Sequence, residues 1–74
     1  MIEVVRTNDL VLISFVENVL TQGGVRFLVA DNHMSAVEGS LGFLPRRVLV
    51  DSDERDRARQ LLSEAGLSRE LSDG

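Results

Sequence analysis

Along the chain, apolar and polar residues first alternate, then recur at helical spacing, and the cycle then repeats with an extra alternating stretch between. From Ile2 to Arg6, Ile2 and Val4 fall on one side and Glu3 and Val5 on the other, which predicts a strand of unbroken alternation. Thr7-Asn8-Asp9 carries helix-capping chemistry, with Asn8 the expected cap and Asp9 favourably placed against the helix dipole. A helix is predicted from Asp9 to Gln22 with the stripe Leu12, Phe15, Val16, Val19 and Leu20, ended by Gly23-Gly24. Val25 to Asp31 reads as a second strand, Val25, Phe27 and Val29 against Arg26, Leu28 and Ala30. Asn32 to Leu44 is a long connection, of the kind that is often functional. Within it His33 to Glu38 could form a helical turn, and Met34, Val37, Leu41, Phe43 and Leu44 are expected to pack back on the core. After Pro45 a third strand spans Arg46 to Val50, Val48 and Val50 opposite Arg47 and Leu49. Asp51 and Glu54 have capping-box spacing ahead of a helix from about Ser52 to Ala65, seamed by Ala58, Leu61, Leu62 and Ala65 and ended by Gly66.

This order, βαββα, predicts an α+β fold: a ferredoxin-like half-motif with a three-stranded sheet of order 1-3-2 and both helices on one face. Residues 1–67 are expected to form one domain and residues 68–74 a polar, frayed tail. The helix-covered face takes Ile2, Val4, Val25, Phe27, Val29, Val48 and Val50. The opposite face then carries Val5, Leu28, Ala30 and Leu49 among Glu3, Arg26 and Arg47. A sheet face open to water should be mostly polar. Two readings stay open: branched residues and leucine simply suit strands, or Val5, Leu28 and Leu49 form an interface with a second copy or another protein.

Composition narrows the classes of function. The 74 residues contain no cysteine, so disulfides and thiolate metal sites are excluded, which favours the cytoplasm. Neither a signal peptide nor an apolar run long enough for a membrane span is visible. The formal net charge is −4, and there are three Phe and no Trp or Tyr. That argues against nucleic-acid binding, which needs a basic surface and, for single strands, stacking platforms.

One end of the predicted sheet collects Arg6, Asn8, the long connection with His33, and Arg46. Unbroken alternation sends Arg6 and Arg46 to the helix-covered side, flanking a helix N-terminus, a recipe for a phosphate or carboxylate site. The competing reading is ordinary surface pairing of these arginines with Asp9, Asp31 and Glu38, worth roughly 0–1 kcal/mol a pair. His33 is the single histidine, and no positioned partner makes it a general base. No cofactor is expected, a metal site from His33, Asp31 and Glu38 is only weakly suggested, and without paired catalytic groups the chain does not read as an enzyme.

The stretch Arg6-Thr7-Asn8-Asp9, the segment from His33 through Gly42, and Leu44-Pro45-Arg46-Arg47-Val48 resemble a family of short bacterial proteins of unknown function, labelled "putative prokaryotic signal-transducing proteins". The resemblance covers about residues 2 to 67, and the loop with its Pro-Arg-Arg element is its most specific part. It implies a ferredoxin-like fold grouped with the nitrogen-regulatory PII-like proteins. The second βαβ unit and extended effector loop of PII proteins are lacking, so their nucleotide and effector binding is not carried over, and no catalytic residues are implied. The expectation is a non-enzymatic regulatory or adaptor module, dimeric, binding a protein partner or small anionic effector. The alternative is a structural protein-interaction domain with no small-molecule ligand.

Overall fold

The computed structural model describes residues 1–30 and 45–72. Strand β1 (Ile2–Thr7) leads to helix α1 (Leu10–Gln22), strand β2 (Phe27–Ala30), strand β3 (Arg46–Val50) and helix α2 (Arg55–Glu64), which a 3-10 turn at Ser52–Glu54 precedes. β3 lies between the other two strands and runs antiparallel to both, giving the order β1-β3-β2. The fold is thus the α+β ferredoxin-like half-motif that the alternation predicted.

Helix ends follow local chemistry, with one correction at each N-terminus. The cap of α1 is Asp9, not Asn8: its backbone is extended and its Oδ1 accepts from Val11 N at 2.9 Å and Leu12 N at 3.2 Å. Thr7 Oγ1 in turn accepts from Asp9 N at 3.1 Å, so the polar residues Thr7 and Asp9 form the entry to the helix while Asn8 is exposed. At α2 the capping box is not made. Asp51 uses its backbone carbonyl, accepting from Glu54 N at 2.9 Å, and no side-chain cap forms. Both helices end as their glycines predict. Gly24 and Gly66 adopt φ of 75° and 89°, a region that costs a side-chain-bearing residue about 1–2 kcal/mol. The chain then turns back, Val25 N donating to Leu20 and Leu67 N to Leu62, each at 2.9 Å.

Val4, Val5, Val48 and Val50 of the sheet, Ile13, Val16 and Leu20 of α1, Ala58 and Leu62 of α2, and Val25 form one buried cluster, so both helices cover the same face. The stripe of α1 is rotated from the expected one. Ile13 is buried and Phe15 is 43% exposed, because Ile13, Val16 and Leu20, at i, i+3 and i+7, mark the line that meets the valines. Arg57 of α2 donates to the carbonyl of Gly23, tying the end of α1 to its neighbour.

β1 departs from simple alternation. It pairs Ile2 with Val50 and Glu3 with Leu49, but Val5, not Val4, lies opposite Val48. One residue of β1 is therefore extra, a β-bulge at Val4, and everything beyond it changes face. Val4 and Val5 are both fully buried, where unbroken alternation expected Val5 on the open face. The gain is plain: the bulge places two valines in a thin core instead of one, each fully buried side chain contributing about 1.5–3 kcal/mol.

The segment after Leu67 does not fray up to Ser72. Ser68–Glu70 form a 3-10 turn, and Leu71 bridges antiparallel to Val5 along the outer edge of β1. Ser72 N donates to the Val4 carbonyl at 2.8 Å, Ser72 Oγ donates to Glu3 Oε2 at 2.5 Å, and Arg59 Nη1 donates to the Ser72 carbonyl at 2.6 Å. Polar composition suggested a loose tail. The outcome differs because the β1 edge offers unpaired backbone groups and Leu71 packs against the core.

Candidate functional site

The bulge also decides which charged groups meet. Counting from the register, the face away from the helices carries two rows of three: Glu3, Leu49 and Leu28, then Arg6, Arg47 and Ala30. Adjacent strands lie about 4.8 Å apart, so the residues of each row are neighbours across the sheet. Leu28 is 52% exposed and Leu49 half-buried, an apolar shelf at the centre. Beside it Arg6 and Arg47 face each other directly across the ladder, a like-charge pair that destabilises a sheet by a few tenths of a kcal/mol to about 1 kcal/mol. Glu3 only partly offsets them. Its Oε1 lies 3.4 Å from Arg6 Nη2, and its Oε2 is taken by the Ser72 hydroxyl. The Arg47 guanidinium has no ion-pair or hydrogen-bond partner among the described residues.

The anion pole expected from the sequence is therefore rearranged. Arg6 turns to the open face beside Arg47, while Arg46 pairs with Thr7 on the helix side and is half-buried. Asn8 caps nothing. The N–H groups that an outside anion would need at the start of α1 already bind the carboxylate of Asp9, whose charge repels a second anion. His33, and with it the long connection including Asp31, Glu38 and the apolar residues expected to pack back, lies outside the described residues. Of the three interface candidates, Leu28 and Leu49 lie on the open face, and Val5 belongs to the core. The residue that sequence reasoning missed is Arg6 as a member of this face. Val4-Val5, two adjacent β-branched residues where one would keep the alternation, is the only signal that could have revealed it.

A second apolar surface lies on α1, where Val11 is 78% exposed and Phe15 sits one turn further on. Among the described residues no buried side-chain polar atom lacks a partner, and no group of three or more His, Asp or Glu residues could hold a metal ion. No helix among them is long and apolar enough to cross a membrane.

A small α+β half-motif with an open, arginine-bearing sheet face does not by itself establish a function. Comparison with known families goes one step beyond it. Residues 1–66 match the family described as "Putative prokaryotic signal transducing protein", and the chain belongs to that family. The sequence resemblance is thereby confirmed over nearly all of its expected span. No curated protein matches the chain.

Proposed function

We propose that this chain is a non-enzymatic signalling module that works inside the cell by binding a protein partner on the open face of its sheet. The observation that carries this reading is the pairing of Arg6 with Arg47 beside the exposed Leu28 and the half-buried Leu49. Apolar area supplies affinity and flanking charge supplies orientation, which together make a docking surface. The family description fits a protein that transmits a state rather than one that turns over a substrate. A small anionic effector at the start of α1 is the weaker reading, since Asp9 occupies that position.

Site-specific cross-linking tests the proposal. A photoreactive residue in place of Leu28 should trap a partner in the cells that make the protein, and the same residue in place of the exposed Gln60 of α2 should not. Equal trapping from both positions, or trapping from Gln60 alone, refutes the docking face.

A further inference from the structure

The Arg6–Arg47 pair says more about the partner than that it is a protein. We infer that the partner presents an acidic segment, one carboxylate of which seats between Arg6 and Arg47 while an apolar side chain rests on Leu28 and Leu49. This rests on the docking face proposed above and adds the partner's chemistry.

Four observations carry it. Arg6 and Arg47 are directly opposed across β1 and β3, so their charges repel, and a carboxylate placed between them converts that repulsion into two attractions. The Arg47 guanidinium has no ion-pair or hydrogen-bond partner among the described residues, so none of them answers its five donors. The one acidic group on the same rows, Glu3, is engaged by Arg6 and by the Ser72 hydroxyl and pairs with Arg6 alone of the two arginines. At the far end of the ladder, the residues next to the last pair, Phe27 with Val50, are Arg26 and Asp51, of opposite charge, whereas the Arg6–Arg47 row holds two positive charges and no acidic residue.

The same features weigh against other occupants. A second copy laid on this face brings two more such arginines, with only Glu3 and Asp51 to answer them. Nucleic acid fits poorly, since the chain as a whole has a net charge of −4 and the rows of this face hold no aromatic ring for stacking. The face is only three strands wide, which suits a weak, reversible contact.

The test uses the full chain and two synthetic amphipathic peptides, one of glutamate and leucine and one of lysine and leucine in the same pattern. In amide-resolved NMR titrations the glutamate peptide should shift Arg6, Leu28, Arg47 and Leu49 and leave α2 unmoved. Its affinity should fall steeply as ionic strength rises from about 0.01 M to about 1 M, where the screening length drops from ~30 Å to ~3 Å. The double substitution R6A/R47A should weaken binding about three- to ten-fold, and R6E/R47E should transfer binding to the lysine peptide, a gain that misfolding cannot mimic. Four results overturn the inference: no binding of the glutamate peptide at low salt, equal binding of the lysine peptide, displacement by a single-stranded oligonucleotide, or a dimer at tens of micromolar that buries these amides. If any of these appears while cross-linking from position 28 still traps a protein, the partner's chemistry is wrong and the docking face stands. If cross-linking fails as well, the face itself is lost.

Discussion

Replacing Val5 and Leu28 separately by alanine discriminates the bulged β1 from an evenly alternating one. In an unbroken strand both residues lie on the open face, and truncating either changes stability little. In the structure Val5 is fully buried within the core cluster, whereas Leu28 is 52% exposed. Val5→Ala removes two methyl groups' worth of buried surface, about 1.6 kcal/mol at 0.8 kcal/mol per carbon, and leaves a cavity, for a total of about 2 kcal/mol. Leu28→Ala removes area that water already reaches on half its surface, and the change should stay within about 0.5 kcal/mol. A chain of 74 residues has a total stability of only about 4–11 kcal/mol. The Val5 loss is thus a sizeable share of it, equivalent to a fall in Tm of about 8–16 °C, against no more than about 4 °C for Leu28. Urea and thermal unfolding followed by far-ultraviolet circular dichroism measure both, with unchanged m values showing that two-state behaviour is kept. If the two variants unfold within about 0.5 kcal/mol of each other, Val5 is not in the core, and the face assignment of Arg6 falls with it.

Three further outcomes test other parts of the structure. Asp9→Ala should destabilise by about 1 kcal/mol through loss of the α1 cap, while Asn8→Ala changes stability by no more than a few tenths, and thermal melts of the two variants show which residue caps the helix. Removing residues 71–74 should cost about 1–3 kcal/mol by stripping Leu71 from the core and the Ser72 hydrogen bonds from Val4 and Glu3, and should speed hydrogen exchange along β1; unchanged exchange there would show that the segment is not docked. Gly66→Ala should cost about 1 kcal/mol, because φ of 89° is open to glycine and strained for alanine; an unaltered Tm would contradict the left-handed turn that closes α2.

Much of the architecture was legible because its signals are local and repeated. The periods of two and near four place the strands and helices, and Gly24 and Gly66 stop both helices where they stand. The central position of β3 was legible as well, since the short chain has few ways to cover one face of a three-stranded sheet with two helices. The site was less legible. Whether Asn8 or Asp9 caps α1 is decided by one residue's backbone angles, and either side chain has the chemistry. Phe15 and Ile13 are both apolar and within reach of the same face, so composition cannot rank them and the rotation of the packed helix does.

Alone, then, the order of residues determined the elements, their succession and the sheet order, because each follows from near-neighbour spacing and from the apolar face that it must hide. Tertiary structure decided what the open face is made of. Opposite β3 the core had room for both Val4 and Val5, the ladder yielded one residue to admit them, and that slip carried Arg6 across the sheet to Arg47. The docking of Leu71 and Ser72 on the β1 edge was settled in the same way, by backbone groups that only become neighbours once the sheet exists. A pattern of period two fixes a strand's faces only until a bulge interrupts it, and where a bulge falls is a matter of how the whole core fills.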